Sequence, residues 1–250
     1  MEGTALLGRL TWQLGEVVET IAETPRTRSL VMSVPSWSHH QPGQHVDVRL
    51  TAEDGYQAIR SYSIASPPEA ENLEITVEQL PDGEVSPYLT MEVRPGDRLE
   101  FRGPIGGYFV WEAGMGGPVL LIAGGSGVVP LMAMIRHRVA AGSDVPIRLL
   151  YSARSPEDII YRAELERLSA TVPGFELIYT FTRSHPTGWT GYRRRVDQEM
   201  LRDVAWPPVD RTLAFVCGPT RFVEVVAGGL GNLGYGPARI RTERFGPTGG

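Results

Sequence analysis

The rhythm of the chain changes once, at Gly114-Met115-Gly116-Gly117, and that change limits the possible folds more than any other feature. Before it come short segments rich in Val, Ile, Leu, Thr and Tyr: Glu16 to Ala22, Ser29 to Val34, Val46 to Leu50, Ser61 to Ala65, Leu73 to Gln79 and Arg98 to Phe101. Pro42-Gly43, Asp54-Gly55, Pro67-Pro68, Pro81-Asp82-Gly83 and Pro95-Gly96-Asp97 separate them, and one helix is expected near Ser86 to Met91. Many short strands joined by tight turns predict a small antiparallel β-barrel. After the break, strand candidates (Val119 to Ala123, Ile147 to Ser152, Glu176 to Thr182, Leu213 to Cys217, Arg239 to Thr242) alternate with helix candidates (Pro130 to Ala141, Arg162 to Ala170, Val196 to Val204, Arg221 to Leu233). That alternation is the signature of a parallel sheet flanked by helices. The expectation is a two-domain protein, with a barrel over residues 1–113 and an α/β domain with a five-stranded parallel sheet over residues 114–250.

Composition narrows the function. A formal net charge of −5 argues against nucleic acid, whose binders need a basic face to neutralise phosphates. The single cysteine, Cys217, rules out an internal disulfide and cannot supply the thiolates of an iron-sulfur cluster, so any such cluster belongs to a partner. The start of the chain has only the apolar cluster Ala5-Leu6-Leu7 and lacks the pattern of a secretory signal, which predicts a cytoplasmic protein. The long uncharged stretch between Glu112 and Arg136 is broken by glycines and by Pro118 and Pro130, so no membrane span is expected.

Three motifs carry chemistry. Arg60-Ser61-Tyr62-Ser63 lies on a strand, where alternation sends Arg60 and Tyr62 to one face and Ser63 to the other. Alone, this is an ordinary strand with a surface arginine. Gly124-Gly125-Ser126-Gly127-Val128-Val129-Pro130 follows an apolar strand and opens a helix, where backbone N–H groups can approach a pyrophosphate. It is not the G-x-G-x-x-G fingerprint, and glycine-rich turns without ligands are common. Cys217-Gly218-Pro219 ends a strand at the carboxyl edge, where open α/β sheets bind ligands. A lone cysteine there is also a small buried apolar residue.

These motifs, in this order on a barrel and a five-stranded sheet, resemble the ferredoxin-NADP reductase superfamily over nearly the whole chain. The resemblance is greatest to stand-alone reductases and to the flavin-nicotinamide modules of oxygenase reductases. It implies that Arg60 bonds a flavin phosphate, Tyr62 packs on the isoalloxazine and Ser63 lies near N5, with Ser61 on the same strand. It places Thr76, Val77 and Glu78, then Gly83, Val85 and Ser86, at the flavin pyrophosphate, although Ser86 equally suits a helix cap. It makes FAD the expected flavin, with Phe245 covering the ring and Glu243 working with Ser63 in proton handling. It gives Gly125, Ser126, Gly127, Cys217, Gly218 and Pro219 to the nicotinamide nucleotide, Cys217 lining the site close to the nicotinamide.

Nucleotide choice depends on a cationic pocket for a 2′-phosphate. Arg154 and Arg183 fall at strand ends on the binding edge, and Arg193 matches a basic position of NADPH-using relatives; the reading favours NADPH over NADH. Glu157 and Asp158 can instead pair with Arg154. His39 and His40 lack ligand-spaced partners and read as a solvated loop rather than a metal site. The expected activity is an FAD-dependent NAD(P)H oxidoreductase that passes electrons to a ferredoxin, oxygenase or metalloenzyme. The alternatives are a flavin, quinone or ferric reductase, and a non-catalytic flavoprotein docking subunit.

Overall fold

The structure, a computed structural model, describes residues 10–37, 39–209 and 211–246; the Ala5-Leu6-Leu7 cluster and the tail beyond Gly246 lie outside them. Six antiparallel strands form the first lobe: β1 (Gln13–Thr24), β2 (Thr27–Ser33), β3 (His45–Thr51), β4 (Gln57–Ser63), β5 (Leu73–Glu78) and β6 (Arg98–Ile105). Their order is β4-β3-β6-β1-β2-β5. The two outer strands then meet, because Ile64 bridges Ile75 and the Ala65 N–H donates to the Glu74 carbonyl at 2.7 Å. Closure turns alternate residues inward, and Leu30, Met32, Val46, Val48, Ile75 and Phe101 fill the interior.

One expectation for this lobe holds with a change of winding, and one needs correction. The helix expected from Ser86 to Met91 is present over 86–92, opening with the Leu89 N–H on the Val85 carbonyl at 3.1 Å, but it widens at Tyr88–Glu92 to i→i+5 bonding from the Val93 N–H to the Tyr88 carbonyl at 3.3 Å. The Thr90 hydroxyl donates to the Ser86 carbonyl at 2.8 Å, a side-chain bond that competes with the ordinary helical ladder. His40 is buried rather than solvated. The Trp37 indole donates to its Nδ1 at 3.1 Å, so the ring proton sits on Nε2 and faces the Ser66 carbonyl at 2.9 Å. Burial lowers its pKa, which keeps this arrangement neutral.

The second lobe has a parallel sheet of order β11-β10-β7-β8-β9. Its strands are β7 (Val119–Gly124), β8 (Ile147–Ala153), β9 (Phe175–Phe181), β10 (Leu213–Pro219) and β11 (Ile240–Phe245). Its helices are α1 (Val128–Ala140), α2 (Arg162–Thr171), α3 (Gln198–Val204) and α4 (Thr220–Asn232). β7 is buried along its whole length, as a central parallel strand must be. Val119, Leu121 and Ala123 pack toward α1 and α2, and Leu120 and Ile122 toward α3 and α4. The glycines near the end of α4 do not stop it. At Gly229 a Cβ would meet Leu201 Cδ1 at 2.4 Å, so glycine there lets α3 and α4 approach. Among the described residues, no helix is long and apolar enough to cross a membrane.

A polar network joins the lobes through the far half of α1. The Arg136 guanidinium bonds Glu164 of α2 through two nitrogens at 3.1 and 2.7 Å. Its Nη1 reaches into the barrel, donating to the Ala65 carbonyl at 3.1 Å and to Glu74 at 3.0 Å. Burial works against this charge, yet Glu164 and Glu74 outweigh it and hold the Arg136 pKa above its ordinary value. Beside it, His137 Nδ1 meets Glu69 at 2.7 Å, and the Tyr161 hydroxyl bonds Thr76. The helix that begins at the glycine loop is thus anchored on the segment that follows Arg60-Ser61-Tyr62-Ser63.

Candidate active site

The loop after β7 owes its shape to two glycines with different reasons. Gly125 has φ +57°, a left-handed conformation that disfavours any side chain, yet a Cβ there would meet nothing within 4 Å. Gly127 has an ordinary φ, but its Cβ would lie 2.2 Å from the Cys217 carbonyl oxygen and 2.8 Å from the Gly218 nitrogen. The start of α1 therefore rests directly on the end of β10. Gly218 in turn lies against Gly124, and a Cβ on it would meet Gly124 Cα at 3.3 Å.

A cavity of about 780 Å³ opens in front of this loop. Gly125, Ser126, Arg154, Pro219 and Phe245 line it from the α/β lobe, and Arg26, Thr27, Glu78 and Leu80 from the barrel. Its size is that of a cofactor site. Arg154 has no carboxylate within 4 Å among the described residues, because Asp158 turns to Arg26 at 3.7 Å and accepts from Ser155 at 3.0 Å. Arg183 is exposed and does not line the cavity. Arg193 also stays outside, its guanidinium folded onto the Trp189 carbonyl. Sequence reasoning missed Arg195 and Arg221, which do line it. Arg221 stands two residues beyond Pro219, so proximity to the third motif was the available signal for it.

Parallel pairing sets Cys217 beside Glu243 and Pro219 beside Phe245. Cys217 is buried, and burial, followed by the Glu243 charge, pushes its thiol well up. Among the described residues the buried Glu243 Oε2 has no hydrogen-bond partner, and burial raises its pKa from 4.5 to about 7. The flavin-free protein should therefore lose stability as pH climbs from 4.5 to about 7, because the unfolded chain releases that proton first. By pH 8 the whole loss is in place. Glu243→Gln should flatten that part of the profile and raise the melting temperature at pH 8; parallel melting curves for the two proteins across the window would refute the assignment.

On the barrel, β4 pairs with β3 so that Tyr62 faces Val46 and Ser63 faces His45. Tyr62 packs on the core with its phenol pushed up to about 12 by burial, and neither its hydroxyl nor that of Ser63 has a bond to the described residues. Ser61 is tied to Asp47 at 2.7 Å. Arg60 is half exposed and meets Glu84 at 2.5 Å, which brings the strand motif to the Gly83 loop. In that loop Val85 is core, and the Ser86 hydroxyl accepts from the Leu80 N–H at 3.0 Å. Thr76 is occupied by Ser29 and Tyr161, and Val77 points into the core. Only Glu78 of that trio lines the cavity.

The oxidoreductase FAD-binding domain family matches residues 15–110, and the oxidoreductase NAD-binding domain family matches residues 121–228. The glycine betaine monooxygenase reductase subunit of Chromohalobacter salexigens is 34% identical over 247 residues, which is 95% of this chain. NADH-cytochrome b5 reductase 1 of Aspergillus terreus is 34% identical over 205 residues, 79% of this chain and 68% of that protein. The chain belongs to the ferredoxin-NADP reductase-like family of FAD- and NAD-binding oxidoreductases. It spans 66% of the length of the betaine monooxygenase reductase subunit. Among solved structures, the flavohem-like FAD/NAD-binding domain of nitric oxide dioxygenase from Vibrio cholerae superposes with a TM-score of 0.82 at 27% identity, covering 94% of this chain and 99% of that one.

The residues present fit both cofactors of this oxidoreductase family. Open space in front of Gly125, the unpartnered Glu243 oxygen and the basic rim of the cavity suit a dinucleotide. The half-exposed Arg60 and the free hydroxyls of Tyr62 and Ser63 suit a phosphorylated flavin.

Proposed function

We propose that the chain is an FAD-dependent NAD(P)H reductase that passes electrons to a separate redox protein, either an oxygenase component, a ferredoxin or another metalloenzyme. The observation that carries this reading is the cavity lined from both lobes, with the glycine loop on one wall and barrel residues on the other. A bound flavin accepts two electrons from a nicotinamide and releases them singly, the chemistry that no side chain here supplies. The protein's task is alignment.

In this reading residues 1–113 hold FAD and residues 114–250 hold the nucleotide. Arg60 neutralises phosphate, Ser61, Thr76, Val77, Glu78, Gly83, Val85 and Ser86 shape the flavin cleft, and Tyr62 supports the ring. Phe245 covers the ring until nicotinamide arrives. Gly125, Ser126, Gly127, Gly218 and Pro219 hold the pyrophosphate by backbone approach, Cys217 lines the nicotinamide subsite, and Ser63 with Glu243 handles a proton there. Arg154, with Arg195 beside the same cavity, favours NADPH over NADH; of the other two arginines read from the sequence, Arg183 and Arg193, neither lines that cavity. A single cysteine accords with a cytoplasmic setting.

The test is a visible spectrum followed by anaerobic titration with each nucleotide. The expected result is a flavin band bleached by NADPH more readily than by NADH, with Arg60→Ala retaining less flavin than wild type. Bound flavin that neither nucleotide bleaches would instead identify a docking subunit, and rapid turnover of quinones or ferric chelates a small-molecule reductase.

A further inference from the structure

Arg60 is not waiting empty for its ligand. Its Nη2 meets the Glu84 carboxylate at 2.5 Å, and its Nη1 donates to the Ile59 carbonyl at 2.8 Å. The second Glu84 oxygen accepts from the Tyr56 hydroxyl at 3.0 Å. The loop that presents Glu84 is set on both sides: a Cβ on Gly83 would lie 2.7 Å from the Ser86 oxygen, and that oxygen accepts from the Leu80 N–H at 3.0 Å. Glu84, Tyr56 and Tyr88 stand at the edge of a cleft of about 440 Å³ on the barrel.

We propose that Glu84 is a specificity-determining residue, a tethered carboxylate that occupies Arg60 in the flavin-free chain and competes for it with the phosphate of FMN or FAD, but not with riboflavin. The inference rests on the reading of Arg60 as the flavin-phosphate ligand. An arriving phosphate must take the guanidinium face that Glu84 now holds. The displaced carboxylate stays close, because its loop is fixed and the Tyr56 hydroxyl still holds it. Its charge then opposes whatever anion has replaced it. A phosphate monoester such as FMN carries about −1.5 to −2 at neutral pH, and the two adjacent phosphorus atoms of FAD together carry about the same, one charge on each. The same carboxylate therefore opposes both phosphorylated flavins, and it leaves riboflavin, which has no phosphate, untouched.

Glu84→Gln keeps an acceptor for Tyr56 and removes the charge. The full chain, freed of flavin, is titrated with riboflavin, FMN and FAD by flavin fluorescence, as wild type, Glu84→Gln and Arg60→Ala. The expected result for Glu84→Gln is FAD binding roughly fivefold tighter, the size of a unit-charge repulsion near 4 Å in water, with a comparable gain for FMN and no change for riboflavin. Both gains should shrink in high salt, since the groups are half exposed. Equal affinities of wild type and Glu84→Gln for all three ligands would overturn the inference, as would a riboflavin gain equal to that of FMN. If Arg60→Ala binds FAD as wild type does, the phosphate reading of Arg60 fails and this inference with it. The two failures are distinguishable because only the second involves the Arg60 variant.

Discussion

Gly127→Ala is expected to abolish reduction by nicotinamide while leaving the flavin band in place. The added methyl would sit 2.2 Å from the Cys217 carbonyl oxygen and 2.5 Å from its carbon. Both belong to β10, which is hydrogen-bonded to β7 on one side and β11 on the other, so neither wall can retreat alone. Overpacking of this kind costs about 1–3 kcal/mol or more. The strain falls at the start of α1 and the end of β10, the two places proposed to receive the dinucleotide. The flavin lobe shares neither element. Gly125→Ala supplies the contrast, since it has open space and faces only a left-handed backbone cost of roughly 1–2 kcal/mol. Anaerobic titration and thermal melts of the two variants check this. Gly127→Ala bleached at wild-type nucleotide concentrations, with an unchanged melting temperature, would show that the close approach is not what demands glycine.

Arg136→Met should be the most destabilising single change to the joint between the lobes. The side chains of Arg136, Glu74 and Glu164 are only 16%, 13% and 29% exposed, so removing the guanidinium leaves two carboxylates poorly solvated and unpaired. Breaking such a buried pair costs about 3–5 kcal/mol. At roughly 2–4 °C per kcal/mol for a chain of this size, the melting temperature should fall by about 10 °C. Adding Glu74→Leu should recover part of the loss, because the burial of one uncompensated charge is then relieved. A denaturation midpoint for Arg136→Met within error of wild type would mean that the carboxylates find other partners.

Much of this architecture was readable from residue order. The strands expected early in the chain pair antiparallel and the later ones parallel, and each expected strand overlaps an observed one. Boundaries drifted where side chains override local preference: β4 runs over Gln57–Ser63 because its partner β3 dictates register, and Thr90 opens the turn after Ser86. Long-range packing stayed hidden. Nothing adjacent to His40 in sequence announces that Trp37 and Ser66 enclose it. The role of Gly127 was visible only as part of a glycine-rich turn, while the carbonyl it must accommodate comes from Cys217, far along the chain. The same distance concealed the bond from Thr76 to Tyr161, which directs that hydroxyl away from the cavity.

The barrel closes at Ile64 and Ile75, and the adjoining Ala65 carbonyl is one that Arg136 takes from across the lobe boundary. The staves of the barrel are thus pinned shut by a peg driven in from its neighbour. Prising the halves apart would loosen the seam itself, so a flavin lobe expressed alone inherits an unfastened hoop as well as an exposed flank.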